Sequence, residues 1–271
     1  HADATLGTED YPMNSVYSGQ TIAELNAGKN PATRITRALA RAGAVKRPIP
    51  LTAQKPMLAS AGDAFDCAGW LFEIKYDGYR LICIKDGDST RLVSRNGNDL
   101  SLTFPEIVRA VERLPYPSIT LDGEAVCHDG AGLPSFARMQ QRGRLNSMSA
   151  IDRAVAENPA TLYAFDILAF GDYDLRDLAL RQRKTFLRDA LPLAGIIRFS
   201  DHIETEGRAM YQAAASLGLE GIVAKNGDAR YRSGRSGEWI KVRIDQTDDF
   251  VIMGFRRGDN REIRSLIVGQ Y

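Results

Sequence analysis

Residue type and spacing point most directly to chemistry in the segment Glu73-Ile74-Lys75-Tyr76-Asp77-Gly78-Tyr79-Arg80. Successive side chains of an extended strand face opposite ways, so Glu73, Lys75 and Asp77 share one face, and Phe72, Ile74 and Tyr76 share the other. A lysine between two acids on its own face has two readings. It is a solvent-facing strand with alternating charges, or a working amine, which is a nucleophile only once its ordinary pKa of about 10.4 has been brought down. Four later segments favour the second reading. Leu121-Asp122-Gly123-Glu124-Ala125-Val126, Tyr163-Ala164-Phe165-Asp166-Ile167-Leu168, Glu220-Gly221-Ile222-Val223-Ala224-Lys225 and Trp239-Ile240-Lys241-Val242-Arg243 each set charge at a definite point in an apolar, strand-like run. One charged strand is ordinary; five suggest charges converging on a cleft.

The elements that would position these charges are short strands with turn punctuation. Strands are expected at 70–76, 120–127, 162–169, 221–225, 239–243 and 250–255, with 80–85 and 91–95 forming a hairpin around Asp86-Gly87-Asp88. Helices are expected at 105–114, with Pro105 at the first position, at 181–191, and at 206–217, where Gly218 stops the last. Tightly turned strand pairs with irregularly inserted helices imply an α+β domain with largely antiparallel sheets. Before it, residues 1–30 read as a polar lead-in. Between residues 29 and 55 stand seven basic residues (Lys29, Arg34, Arg37, Arg41, Lys46, Arg47 and Lys55), with no acid before Asp63. Thr33 is expected to cap a helix there, with Ile35 and Leu39 on one face and Arg34, Arg37 and Arg41 on another. That helix either packs on the main body or meets a phosphate backbone.

Composition sets the outer limits. The chain has 271 residues, 44% hydrophobic and 25% charged, which suits a folded domain with a substantial core. Its net charge of +1 gives no global basic field. No apolar run reaches the roughly 18 residues of a membrane span, and the first residues lack the pattern of a secretory signal, so a cytoplasmic protein without a membrane partner is expected. Cys67, Cys83 and Cys127 form no paired spacing and are expected to be buried thiols. The three histidines show no metal-ligand spacing, which argues against zinc hydrolysis and Ser-His-Asp chemistry.

The charged segments resemble, in order, the nucleotidyltransferase motifs of ATP-dependent DNA ligases, most closely the ligase module of bacterial double-strand-break-repair ligases. Lys75-Tyr76-Asp77-Gly78-Tyr79-Arg80 is similar to the first motif and Ser94-Arg95-Asn96-Gly97 to the next. Asp122-Gly123-Glu124, Phe165-Asp166, Glu220-Gly221 and Lys241-Val242-Arg243 follow. The similarity runs from about residue 55 to the C-terminus. It implies an ATP-grasp-like nucleotidyltransferase domain over 48–247, preceded by an extension over 1–47 and followed over 248–271 by the start of an OB-fold. The strand opening Asp249-Phe250-Val251-Ile252 and a second strand at 265–271 would belong to that barrel, which two strands cannot close.

The resemblance implies that Lys75 takes AMP from ATP as a covalent phosphoramidate and passes it to the 5′-phosphate of nicked duplex DNA. Glu73 would contact the adenine amino group, with Ile74 beside it, while Phe165 stacks on the base and Val223 closes its other side. Arg80 would contact ribose or phosphate, Arg95 the ribose or nick phosphate, and Glu124 the ribose or metal. Lys225, Lys241 and Arg243, with a divalent metal and partial burial, would disfavour the ammonium form of Lys75 and neutralise phosphate charge. Asp77, Glu124 and Glu220 are hard oxygen ligands suited to magnesium or manganese. One departure is Arg243, where the family commonly has lysine; arginine suits phosphate clamping and not proton transfer. The resemblance further implies a monomer in the bacterial cytoplasm, associated with the nucleoid during repair, with end-joining proteins or fused polymerase and nuclease domains as partners. An RNA ligase or capping guanylyltransferase shares the lysine chemistry. A non-catalytic nucleic-acid-binding module is the alternative from another class.

Overall fold

The computed structural model describes residues 21, 23, 27, 30–47, 55–244, 251–258 and 262–269. The lead-in, Lys29, and Asp249-Phe250 of the expected barrel strand lie outside the described residues, apart from the isolated positions 21, 23, 27 and 30.

Two sheets face each other across a cleft. The first has the order β1 (Val45–Lys46), β8 (Tyr173–Asp174), β7 (Ala160–Phe170), β6 (Ser118–Cys127), β4 (Tyr79–Asp86) and β5 (Ser89–Ser94), with β9 (Ile197–Phe199) also on β7. The second has the order β10 (His202–Thr205), β3 (Cys67–Ile74), β11 (Gly221–Asn226), β12 (Gly234–Arg243) and β2 (Met57–Ala61). Pairing is antiparallel except at β7 with β9 and β12 with β2. The α+β, largely antiparallel expectation is met, as is the hairpin around Gly87.

Period-two alternation sorts each strand between two cores. On β4, Leu81 and Cys83 enter the core under the helices, while Ile82 and Ile84 turn toward the second sheet. On the second sheet Phe72, Ile222, Ala224 and Val242 pack in a cluster with Ala214 of the helix at Gly207–Ser216. Their sequence neighbours Glu73, Val223, Lys225, Lys241 and Arg243 therefore point into the cleft.

Helices cover the outer faces. α1 (Pro31–Arg41) is capped by Asn30, whose side chain accepts from Ala32 N, with Pro31 at its first position. This corrects the cap expected at Thr33, which lies inside the first turn. Ile35 and Leu39 are buried with Leu187 of α5 (Leu180–Ala190), and Arg34 pairs with Asp189 at 3.1 Å. The helix thus packs on the body, with Arg37 and Arg41 exposed. α2 (Pro105–Glu112) ends where the buried Lys85 donates to the carbonyls of Glu112 and Leu114, both at 2.7 Å. α3 (Phe136–Gly143) and α4 (Met148–Glu157) were not anticipated. Each starts at a serine cap but buries little apolar surface, chiefly Met139 and Ile151, so the periodicity is weak. α6 (Gly207–Ser216) is followed by Gly218 in the left-handed region, as expected.

One of the three cysteines departs from expectation. Cys83 and Cys127 are buried, but Cys67 is exposed because it opens β3 at the sheet's end. At the C-terminus β13 (Val251–Arg257) and β14 (Ile263–Gly269) form an antiparallel hairpin with mostly exposed side chains. Among the described residues no helix is long and apolar enough to cross a membrane.

Candidate active site

The nucleophile candidate sits where the chain changes sheets. β3 ends at Ile74 in the second sheet and β4 begins at Tyr79 in the first, so Lys75-Tyr76-Asp77-Gly78 crosses the mouth of the cleft. The strand expected to reach Tyr76 therefore stops two residues early, and simple alternation does not govern Lys75 or Asp77. Three contacts hold the crossing. Lys75 N donates to Gly221 O at 2.9 Å. Tyr76 stacks on Tyr163 with centroids 4.0 Å apart. Gly78 passes so close to β6 that a Cβ there would lie 2.1 Å from Ala125 O.

Lys75 Nζ donates to Glu220 Oε2, and Arg243 Nε lies 3.6 Å from Glu220 Oε1. The position of Glu220 depends on Gly221, which has φ +144° and faces Val242 O at 2.1 Å from any Cβ. Gly221→Ala is expected to cost about 1–3 kcal/mol through that clash and to pull Glu220 off Lys75. Urea denaturation checks the first part, and a loss under about 0.5 kcal/mol would contradict it.

Between the sheets lies a cavity of about 650 Å³, within the usual range for a small-molecule site. Glu73, Ile74, Lys75, Arg80, Arg95, Glu124, Phe165, Val223, Lys225, Lys241 and Arg243 all border it. Ile74 does so while its side chain packs with the Phe72 cluster. Asp77 and Glu220 do not line it but stand beside Lys75, which does. The expected site residues are brought together, but several are engaged differently than anticipated.

Glu73 is 2% exposed. Burial opposes its charge, yet Lys184 and Lys225, each 2.9 Å away, hold its carboxyl below the ordinary range. Lys225, expected beside Lys75, instead lies 4.1 Å over the Phe165 ring and 4.4 Å over Trp239, and burial pushes it down to about 8. Arg80 is clamped by Asp122 at 2.6 and 2.7 Å, donates to Met57 O across the sheets, and lies 4.7 Å from the Phe165 centroid. Its fork is a strut as much as a ligand contact. Asp122 also accepts from Tyr231 Oη at 2.6 Å. Asp122 and Asp166 are fully buried, so these two charges of the strand motifs brace the fold and do not face the cavity.

The open end of the cavity is cationic. Arg95, Arg235, Lys241 and Arg243 border it, and burial followed by Arg243, Arg235, Lys75 and Arg95 lowers the Lys241 ammonium. Anionic phosphates would relieve that crowding. Carboxylates are crowded too. Burial raises Glu124 to about 7, and burial with Glu220 raises Asp77. Among the described residues no three acidic, histidine or cysteine side chains form a ready-made metal cage. The donor chemistry nonetheless fits magnesium, which takes one or two carboxylates together with phosphate oxygens. Lys184, Ser200, Tyr231 and Trp239 are functional neighbours that the sequence did not single out by role. Only Trp239 carried a signal, inside its charged strand motif.

His128 braces the crossing from behind, with Nε2 2.9 Å from Tyr163 Oη. Burial and then Arg198 hold it below its ordinary pKa. The native state thus prefers neutral imidazole, and the unfolded chain binds the proton first as pH falls below about 6.5. This contribution to stability is present at pH 7 and is lost as pH falls through that range. His128→Gln is expected to show a flatter dependence of urea midpoint on pH between 7 and 5; an unchanged slope would contradict the assignment.

A family model described as ATP dependent DNA ligase domain matches residues 55–243. The multifunctional non-homologous end joining protein LigD of Pseudomonas aeruginosa is 35% identical over 225 residues, covering 80% of this chain and 25% of that protein. The corresponding DNA repair protein of Mycobacterium tuberculosis is 32% identical over 220 residues, covering 79% and 27%. The chain spans about a quarter of the length of these relatives. Among solved structures, a mycobacterial DNA ligase D complexed with ATP and MES matches with TM-score 0.63 at 29% identity, covering 82% of this chain and 69% of that one. The ligase domain of M. tuberculosis LigD matches with TM-score 0.62 at 30% identity, covering 82% and 70%.

Proposed function

The chain belongs to the ATP-dependent DNA ligase domain family, and from that premise we propose that it adenylylates itself at Lys75 and transfers the AMP to a DNA 5′-phosphate. In the first step Nζ attacks the α-phosphorus of ATP; an N–P bond forms, the bond to the β-phosphate oxygen breaks, and pyrophosphate and the amine proton leave. In the second an oxygen of the 5′-phosphate attacks the same phosphorus and frees the lysine. The 3′-hydroxyl of the nick then attacks the activated 5′-phosphate and expels AMP.

The observation that carries this reading is one cavity whose lining combines Lys75, the apolar side chains Phe165 and Val223, and the cations Arg95, Lys241 and Arg243. Phe165 and Val223 suit the planar base, with Glu73 as acceptor for its amino group. Lys241, Arg243 and Arg95 suit the phosphates, where they oppose charge that builds up during in-line attack. Lys75 Nζ must give up its bond to Glu220 and a proton before it attacks. Asp77, Glu124 and Glu220 would hold a divalent cation, magnesium or manganese, which supplies charge neutralisation at the phosphate oxygens. Nicked duplex DNA is the proposed partner, and the mouth arginines face its backbone.

Intact mass before and after incubation with ATP and magnesium tests the proposal. A gain of one AMP, stable to denaturation, is expected. No gain, from protein not already carrying AMP, would overturn it.

A further inference from the structure

Lys184 lies outside every motif described above and does not line the cavity, yet its ammonium meets Glu73, which does. It extends from α5, which packs on the first sheet, to Glu73 on the second, and both side chains are 2% exposed. Its Nζ donates to Glu73 Oε1 at 2.9 Å and to Ser200 O at 2.6 Å, and it lies 4.4 Å from the Phe199 centroid. On the other oxygen, Glu73 Oε2 accepts from Ser200 Oγ at 3.0 Å and from Lys225 Nζ at 2.9 Å.

An ionised carboxylate offers about four lone-pair positions and donates nothing. Three are taken, two on Oε2 and one on Oε1. The one remaining is on Oε1. Glu73 borders the cavity beside Phe165 and Val223, so a planar base in the slot meets one fixed acceptor. Stability alone gives no reason for the arrangement. Lys225 already balances Glu73, and a second buried ammonium adds a desolvation cost without a second counter-charge.

We propose that Lys184, assisted by Ser200, is a positioning residue that makes the cavity select a 6-aminopurine, by locking Glu73 so that a single acceptor faces the base. This rests on the nucleotide-binding reading above and adds to it the determinant of base choice. A 6-amino group satisfies the free acceptor. A 6-oxo group sets acceptor against acceptor and leaves a buried polar group unpaired, the situation in which polar sites discriminate most strongly. Without Lys184 the carboxylate is held through Oε2 alone, can turn, and loses that discrimination.

The test is the affinity of the protein for ATP and for inosine triphosphate, which carries oxygen in place of the amino group, measured by calorimetry on wild type, Lys184→Met, Lys184→Arg and Ser200→Ala. Wild type is expected to prefer ATP. Lys184→Met should lose roughly tenfold or more of that preference, Ser200→Ala a smaller part, and Lys184→Arg should recover some of it. The affinity ratio, unlike affinity itself, is insensitive to a general loss of folded protein. Lys184→Met leaves the balanced Glu73–Lys225 pair; if that variant does not fold, Ser200→Ala decides. A preference unchanged in the folded variants while wild type discriminates would overturn the role of Lys184 and leave the nucleotide site standing. Wild type that binds neither nucleotide would overturn the site itself.

Discussion

Lys75→Arg protein will acquire no AMP on incubation with ATP and magnesium, although its charge and most of its packing are retained. Phosphoramidate formation needs a lone pair on nitrogen, and a guanidinium stays protonated at any pH the protein survives. The Lys75 side chain is 17% exposed and bonded to Glu220, and arginine can keep that ion pair, so the fold should persist. The loss is therefore expected to be complete in adduct formation and small in urea stability. Lys75→Ala, which loses charge as well as nucleophile, should behave alike for adduct, so that the two variants together separate charge from nucleophilicity. An Arg variant that still gains one AMP would place the nucleophile on another residue, and Lys241, the other cavity lysine near the mouth, would be examined first.

The largest stability effect is expected at a pair that does no chemistry. Arg183 and Asp166 are both fully buried. Arg183 Nε and Nη2 donate to the two carboxylate oxygens at 2.7 and 2.8 Å, and Nη1 donates to the carbonyls of Leu178 and Ala229 at 2.6 and 3.0 Å. Arg183→Met strands the Asp166 carboxylate in a desolvated interior and is expected to cost about 3–5 kcal/mol. The double variant Arg183→Met with Asp166→Leu should recover a large share, because no uncompensated charge remains. Urea denaturation of both variants provides the measurement. A single variant within about 1 kcal/mol of wild type would show that water or a neighbouring group reaches Asp166.

The contrast between these residues marks how far the chain could be read. Strands with alternating or continuous apolar runs, helix stops such as Gly218 and the proline start of α2 were legible because they are local: backbone sterics and one or two neighbours decide them. The order of charged motifs was legible through its resemblance to the ligase family, and that resemblance implied the gathering of Lys75, Glu73, Glu124, Phe165, Val223 and Lys241 around one cavity. α3 and α4 escaped because their stability comes from serine caps and a few tertiary contacts rather than a wide apolar face.

By itself the amino-acid order determined the strand faces, and hence which side chains of β3, β11 and β12 look into the cleft, since alternation is a property of the extended backbone. It could not say which of those charges would meet a ligand and which another charge. That was decided by packing the two sheets together. Asp122 met Arg80, Asp166 met Arg183, and Glu73 met Lys184 and Lys225 at sequence separations of 42, 17, 111 and 152 residues. Burial makes an unpaired charge too costly to keep, so each acid took whatever cation the tertiary fold brought within reach, and no local pattern records that partner.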